Sequence, residues 1–207
     1  KKECFFMTQK QKTHHLAVAA LLAAVAAVLQ FVEFSIPIMP AFVKLDVSDL
    51  PALLGTFSLG PVYGIAIQLV KNLLHLPFGS SACVGELSNF LLGATFAFIA
   101  GIVYKKHKNR SGALWGSVAG AAAMALISLP LNYFIVYPAY VVLYGLPLEG
   151  IVGMYEAILG TVAHVPTGNA LFNCLLVFNV PFTLCKGLLD VALCFLIYKP
   201  LSPLLHK

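Results

Sequence analysis

Long stretches of apolar residues, interrupted by short polar segments, run through most of the chain. These stretches are continuous and do not alternate between apolar and polar positions, as the strands of a membrane β-barrel would. Continuous apolar segments near 20 residues are typical of transmembrane helices, because a helix satisfies its own backbone hydrogen bonds in lipid. The pattern predicts an all-α integral membrane protein with six transmembrane helices in one bundle. The predicted spans cover residues 15–34, 49–59, 62–76, 86–104, 112–140 and 181–198.

The second predicted span is too short to cross a membrane by itself. It begins with Ser48 or Asp49 as the N-cap and Pro51 in the first turn, and a Gly-Pro pair ends it. A helix over residues 49–59 rises only about 16 Å, whereas the hydrocarbon core is about 30 Å thick. Neighbouring helices must therefore shield this short helix, and space for a pocket remains above it.

Three connections are predicted on the outer side, over residues 35–48, 77–85 and 141–180. The last contains no Lys or Arg, which fits an outer location because cytoplasmic loops carry the excess of positive charge. We expect a long outer loop there, with one or two interfacial helical turns able to lie over a site. The alternative is a seventh short span at residues 171–177, which would place the basic carboxy-terminal residues outside, against the charge rule.

Composition and charge agree with a membrane protein of defined orientation. The chain of 207 residues is 60% hydrophobic and only 10% charged, whereas soluble domains average about 25% charged residues. Ten of the 13 Lys and Arg residues lie before the first span, within or beside the segment KKHKNR, or after the last span. The net charge of +5 is thus a topology signal, which predicts cytoplasmic termini and does not indicate nucleic-acid binding. The expected organisation is a cytoplasmic polar lead over 1–14, a membrane domain over 15–200 and a cytoplasmic tail over 201–207.

The last predicted span carries two ionisable residues within an apolar sequence, PFTLCKGLLDVALCFLIY. These are Lys186 and, four residues later, Asp190. A charged group inside a spanning helix costs about 2.5–3.5 kcal/mol on insertion scales, so it usually faces a cavity or a partner. Thr183 lies one turn before Lys186 on the same helical face, which suggests a polar ligand. The alternative is that Lys186 and Asp190 only satisfy each other at the i,i+4 spacing.

Further polar side chains lie in the outer half of the predicted bundle, in the first outer connection and in the fourth, fifth and sixth spans. Amides and ammonium groups are costly to leave unpaired in apolar surroundings. We therefore expect them to converge on a pocket with apolar walls, for a ligand that is partly aromatic and partly polyhydroxylated. Glu86 has a second interpretation, because a carboxylate at a helix start also stabilises the helix dipole. The converging residues are Lys44, Asp46, Glu86, Asn89, Asn132, Thr183 and Lys186.

Small residues four positions apart recur on two spans. The first span carries two alanine ladders, Ala19, Ala23 and Ala27 on one line and Ala20 and Ala24 on another. Such ladders let a second helix approach closely in lipid, so they can dock another membrane subunit; alanine can equally be present as a good helix former. The fifth span opens with the motif GxxxGxxxG, which predicts close contact with a neighbouring helix.

Metal and nucleotide chemistry leave no signature in the sequence. The five cysteines show no CxxC spacing, and the histidines are scattered apart from one adjacent pair near the amino terminus. A disulfide between Cys83 and Cys174 remains open if both residues face outward. No G-x-x-x-x-G-K-[ST] motif is present, so the chain is not expected to hydrolyse ATP by a P-loop, and a partner would supply any energy for transport.

Five segments in this order carry a family resemblance: KLDVSDLPALLG, GPVYGIAIQLVKNLLH, GELSNFLLG, LPLNYF and PFTLCKG. From about Leu16 to Pro200 the chain resembles the riboflavin-specific substrate-binding (S) component of energy-coupling factor (ECF) vitamin transporters. The resemblance implies six helices in a bacterial cytoplasmic membrane, both termini inside, an outward-facing pocket and no enzymatic activity. It implies riboflavin as the transported ligand and no cofactor. The implied partners are a transmembrane coupling (T) subunit and two cytoplasmic ATPase subunits.

The resemblance also implies roles for individual residues. Asn132 and Lys186 are expected to bond the ribityl hydroxyls or the ring carbonyls, and Glu86 and the backbone at Leu45 and Asp46 to meet the flavin edge. Family members often carry Asn where this chain has Thr183, which has a shorter reach. The family docks its coupling subunit through a first-helix alanine ladder, which matches Ala19, Ala20, Ala23, Ala24 and Ala27. The full expected binding set is Leu45, Asp46, Glu86, Asn89, Asn132, Asn179, Thr183 and Lys186.

Two other functions compete with riboflavin capture. The same architecture can serve another vitamin or a flavin derivative such as FMN, whose phosphate needs space and a compensating cation. A small membrane enzyme would use Glu86 or Asp46 as a base together with Lys186, but no nucleophile–base pair is evident in the sequence.

Overall fold

Helices account for most of the residues that the structure, a computed structural model, describes. These are residues 8–40, 42–79, 83–145, 147–159 and 169–205. Within these ranges the chain forms nine α-helices and one two-stranded antiparallel ribbon, β1 (Phe34–Ser35) and β2 (Lys44–Leu45). The helices are α1 (Gln9–Phe31), α2 (Asp49–Leu59), α3 (Pro61–His75), α4 (Val84–Lys106), α5 (Arg110–Leu131), α6 (Tyr137–Tyr144), α7 (Leu148–Leu159), α8 (Ala170–Cys174) and α9 (Val180–Leu205).

Four helical segments are long and apolar enough to cross a membrane, within the described part of the chain. They are Gln9–Phe31, Val84–Lys106, Arg110–Leu143 and Ala170–Ile197. The last two contain more than one helix, because a π-helical segment joins α5 to α6 and another joins α8 to α9. The structure is therefore of the all-helical membrane class that the apolar pattern predicts.

The two short helices α2 and α3 pack against each other and against α1, and α3 keeps one face exposed, with Val62 and Leu73 on it. Gly60 joins them with φ +111°, a backbone conformation that glycine adopts without steric cost. Every residue of α2 from Asp49 to Phe57 is buried. The neighbouring helices thus shield this short helix, as its length requires.

The predicted outer loop over residues 141–180 is wrong in part. Helix α7 forms within it, and residues 170–180 belong to a continuous helical segment that runs into α9, so the last span begins eleven residues before the predicted 181. Asn169 starts this segment, because its side chain caps the helix by accepting from the Phe172 N–H at 3.2 Å. Apolar residues that follow, including Leu175, pack in the core. The alternative of a separate seventh span over residues 171–177 is not formed, because these residues are the beginning of the last helical segment.

The glycine motif on α5 brings this helix against α4. A Cβ added at Gly116 would lie 2.8 Å from the Ala100 carbonyl oxygen, and one at Gly120 would lie 2.7 Å from that of Phe96. Both obstacles are backbone atoms of α4, which cannot move aside as a flexible side chain can. The close helix contact predicted from GxxxGxxxG is confirmed.

The alanine ladders of α1 face different surroundings. Ala19 and Ala23 are buried and pack in one cluster with Ala52 of α2 and Ile67 of α3. Ala27 is also buried. In contrast, the other ladder, residues 20 and 24, is exposed on the outside of the bundle. Only the second ladder is therefore accessible to another subunit.

The cysteines do not form the disulfide that the sequence leaves open. Cys83 is exposed, Cys174 is buried, and both are free thiols. Cys4 lies outside the described residues.

Candidate ligand-binding cavity

The segment between α1 and α2 folds over one end of the helix bundle. The ribbon pairs Phe34 with Leu45 and Ser35 with Lys44, and the Lys44 ammonium forms an ion pair with Glu33 at the end of α1. Val43, Lys44 and Asp46 line a cavity, whereas Leu45 does not.

The cavity has a volume of about 510 Å³ and is lined by residues of this segment, of helices α1 to α7 and of α9, and of the two π-helical segments. Its lining combines apolar and aromatic side chains with a few converging polar groups, as is typical of small-molecule sites. The structure brings all but one of the expected binding residues to its wall, Leu45 being the exception. Those that line it are Asp46, Glu86, Asn89, Asn132, Asn179, Thr183 and Lys186.

A buried ion-pair cluster forms one wall of the cavity. The Lys186 ammonium donates to the Asp46 carboxylate at 2.8 Å and to the Asn89 side-chain oxygen at 3.3 Å. It also lies 3.6 Å from Oδ2 of Asp49. Lys186 therefore pairs with Asp46 and not with Asp190, so the i,i+4 pair that the sequence left open is not formed. Within the described residues, neither Asp190 side-chain oxygen has a hydrogen-bond partner.

A second lysine supports this cluster from behind the cavity. Lys71 of α3 is fully buried and donates to Asp49 at 2.5 Å and to the Ser48 hydroxyl at 2.6 Å. The Ser48 hydroxyl in turn donates to Asp46. Ser48 is the N-cap residue of α2, one of the two predicted for that position, but its side chain makes no capping hydrogen bond. Gln68 adds a donor to Asp49 at 2.8 Å. Two lysines and two aspartates therefore balance each other in an interior where an unpaired charge is costly.

The Asp46 carboxylate is held ionised by this arrangement. Burial acts to raise the pKa of Asp46, but the nearby ammonium groups of Lys186 and Lys71 outweigh it and hold the pKa below its usual value. The cavity thus presents a charged ion pair, not a neutral carboxylic acid, near neutral pH.

From the sequence, Asp49 was expected only as a possible helix cap, and Lys71 was not among the residues expected at the pocket. The sequence did signal a larger role for Lys71, because an ionisable residue inside an apolar helix marks a functional site or a buried partner. The sequence did not reveal which residue pairs with Lys71, because Lys71 and Asp49 lie 22 positions apart on different helices.

Another polar pair lies on the α3–α4 side of the cavity. His75 Nδ1 lies 2.9 Å from Oε1 of Glu86, and both side chains are buried. Gln30 of α1, which also lines the cavity, donates to Asn72 at 3.1 Å. Glu86 therefore has a specific side-chain partner at the cavity wall, in addition to its position in the first turn of α4.

Two asparagines reach the cavity from the π-helical segments. Asn132 opens the segment Asn132–Val136, two residues after Pro130, and Asn179 closes the segment Leu175–Asn179. Proline removes a helical donor and disturbs the preceding turn, and π-helical turns frequently occur at functional sites. The Asn132 side-chain oxygen lies 3.5 Å from the Ser88 hydroxyl.

Aromatic side chains form the remaining wall, and they were not among the binding residues expected from the sequence. Phe42, Tyr137, Tyr140 and Phe182 all line the cavity. The rings of Phe42 and Tyr140 lie 5.4 Å apart between centroids, within the usual range of aromatic pairs. These residues could not be distinguished in the sequence from other aromatics in apolar segments, because contact with the cavity depends on how each helix is rotated.

Comparisons with known proteins agree with this architecture. The family model for the ECF transporter substrate-specific component matches residues 14–198. The riboflavin transporter RibU of Staphylococcus aureus (strain TCH60) is 32% identical over 197 residues, which cover 95% of each chain. The riboflavin transporter FmnP of Bacillus subtilis (strain 168) is 29% identical over 201 residues, covering 95% of this chain and 96% of that protein. A solved structure of the S component of a bacterial ECF transporter superposes with a TM-score of 0.72 at 32% identity, covering 95% of this chain and 99% of the other.

Proposed function

This chain belongs to the family of ECF transporter substrate-specific components, and we propose that its substrate is riboflavin. It is accordingly a component of a membrane transporter and not an enzyme. The proposal of riboflavin is supported by the names of the similar proteins from S. aureus and B. subtilis. It is supported independently by the chemistry of the cavity.

The main observation in support of the proposal is one cavity of about 510 Å³ with two different walls. One wall is aromatic, and the other is polar, with its charged side chains paired. Tyr137, Tyr140 and Phe42 offer ring surfaces against which an isoalloxazine can pack. Asn132 and Lys186 offer donors for ring carbonyls and ribityl hydroxyls, and Asp46 can accept from hydroxyl groups. A ligand that is flat and apolar at one end and polyhydroxylated at the other satisfies both walls.

The charge balance of the cavity favours riboflavin over its phosphate ester FMN. Among the described residues that line the cavity, the lysines are Lys44 and Lys186. Each is already paired, with Glu33 and with Asp46 respectively. A phosphate would have to displace a carboxylate from its lysine or remain without a compensating cation, and both are costly. Neutral riboflavin requires neither.

For transport we propose the arrangement of six spans with both termini in the bacterial cytoplasm. The cavity then opens toward the outside and captures riboflavin there. A transmembrane coupling subunit and two cytoplasmic ATPase subunits drive its delivery inward. The exposed alanine ladder of Ala20 and Ala24 on α1 is the part of the predicted docking face that remains accessible to the coupling subunit.

Titration of the purified, detergent-solubilised protein with riboflavin tests the proposal. Binding to the aromatic wall should quench flavin fluorescence and saturate at one riboflavin per chain. FMN should compete weakly, by about tenfold or more, because its phosphate finds no free cation. Saturable binding of FMN with equal affinity would contradict the charge argument. Absence of riboflavin binding by a folded sample would refute the proposed substrate.

A further inference from the structure

Asn179 belongs to a closed ring of hydrogen bonds at the cavity wall. The Tyr155 hydroxyl lies 2.6 Å from Oδ1 of Asn179, and Nδ2 of Asn179 lies 3.1 Å from the Tyr137 hydroxyl. The two hydroxyl oxygens lie 2.5 Å apart. All three side chains are buried. Each hydroxyl can donate one bond and accept another, so the ring is fully satisfied.

The distances indicate which way the Asn179 amide faces. Hydrogen bonds between oxygens centre near about 2.7–2.8 Å, whereas N–H···O bonds are longer, near about 2.9–3.0 Å. The shorter contact, to Tyr155, is therefore the one made by the amide oxygen, and the longer contact, to Tyr137, is made by the amide nitrogen. With Oδ1 accepting from Tyr155, the nitrogen donates one hydrogen to Tyr137 and retains a second.

The second N–H of Asn179 is available to the cavity. Asn179 lines the cavity, and within the described part of the chain no other side chain bonds its Nδ2. Tyr155 does not line the cavity and cannot touch a ligand there directly. It lies on α7, outside the predicted spans, and packs its ring 5.0 Å from that of Phe178.

We propose that Tyr155 is a positioning residue, which holds the Asn179 amide so that this part of the cavity wall offers a hydrogen-bond donor. The donor selects ligands that present an acceptor at this point, such as a carbonyl oxygen or an unprotonated ring nitrogen. Loss of the Tyr155 hydroxyl frees the amide to rotate, and the wall then offers a donor or an acceptor without preference. The consequence for riboflavin rests on the proposed function, whereas the orientation of the amide does not.

Binding measurements test the proposal through a double-mutant cycle. Tyr155→Phe keeps the ring that packs on Phe178 and removes only the hydroxyl. We expect it to weaken riboflavin binding by about 3- to 30-fold, the range for disturbing one buried hydrogen bond. In a background of Asn179→Leu, the same change should have no further effect. If Tyr155 only supported the fold, affinity would fall by a similar factor in both backgrounds, and that result would overturn the proposal.

Tyr133→Phe is the matched control. Its hydroxyl also bonds an asparagine, accepting from Asn169 at 2.7 Å, but neither residue lines the cavity. This variant should bind riboflavin within about twofold of the wild type. Equal losses in Tyr133→Phe and Tyr155→Phe would also contradict the proposed positioning role.

A ligand-free measurement separates this inference from the identity of the substrate. The chain has seven asparagines, so ¹⁵N-asparagine labelling gives a sparse side-chain NMR spectrum in which Asn179→Leu assigns the Asn179 signals. In the wild type, the Asn179 amide proton that is donated to Tyr137 should exchange with solvent more slowly than the amide protons of exposed Asn109, and Tyr155→Phe should accelerate this exchange. Unprotected Asn179 protons in the wild type would overturn the inference. If riboflavin does not bind but this protection is found, the proposed substrate fails and the positioning role stands.

Discussion

At the scale of single residues, the buried lysines are the most consequential side chains. Lys186 lines the cavity and Lys71 lies behind it, and both contact Asp49. Removing one member of such a cluster leaves the opposite charge buried without compensation, which costs more than the lost contact itself. The cluster therefore links the geometry of the cavity wall to the stability of the bundle.

We expect Lys186→Ala and Asn132→Ala each to weaken riboflavin binding by about 1–3 kcal/mol, because each removes one buried polar partner. Titration by flavin fluorescence measures the change, and the apparent melting temperature reports whether the variant is folded. Lys12→Ala serves as the control, since Lys12 is exposed on α1. Unchanged affinity in both cavity variants would remove Lys186 and Asn132 from the binding site.

At the scale of elements, the close contact of α4 and α5 determines how the cavity is built. Glu86 and Asn89 lie on α4, and Asn132 follows α5 directly. The small residues of α5 allow this contact, which in lipid depends on van der Waals packing between helices. Any side chain added at this contact must separate the helices or distort their backbones.

Gly120→Ala should lower the stability of the protein by about 1–3 kcal/mol, because the new Cβ meets the Phe96 carbonyl oxygen. Gly153→Ala on α7 is the matched control, since a Cβ there meets nothing within 4 Å. Helix propensity alone predicts a gain of about 0.5–1 kcal/mol at such a position. Thermal unfolding in one detergent compares the two variants. A lower melting temperature for Gly153→Ala than for Gly120→Ala would contradict the packing argument.

At the scale of the whole molecule, the chain offers a binding cavity but no ATP-binding motif of the P-loop type. Membership of the family, which the sequence motifs predict, is confirmed by the family model over residues 14–198. The all-helical class is confirmed by the similar solved structure. The count of six spans and the cytoplasmic location of both termini stay predictions.

Proteoliposomes that contain this chain alone should bind riboflavin without accumulating it against a gradient, even with ATP inside and outside. Accumulation should require a coupling subunit and its two ATPases, because uphill transport needs an energy source that the chain lacks. Uptake of radiolabelled riboflavin measures this, with ATP replaced by a non-hydrolysable analogue as the control. Concentrative uptake by the isolated chain would contradict the proposed division of labour.

Much of the binding wall could be predicted because polar groups in apolar helices are rare and therefore conspicuous. Asn132 and Lys186 were found in this way, and the structure brings them to one cavity together with Asp46. The backbone at Leu45 was expected beside them, but Leu45 does not line the cavity. The aromatic wall and Tyr155 carried no such signal, because aromatic residues are common in membrane segments.

The sequence by itself determined the membrane class, the helical architecture and the need to shield the short helix α2. These properties follow from hydropathy and segment length, which are local and additive along the chain. Only the tertiary structure decided the partners: Lys186 pairs with Asp46, 140 positions away, and not with Asp190 one helical turn away. Such pairings depend on how helices distant in sequence are rotated and packed, which no local pattern of residues specifies.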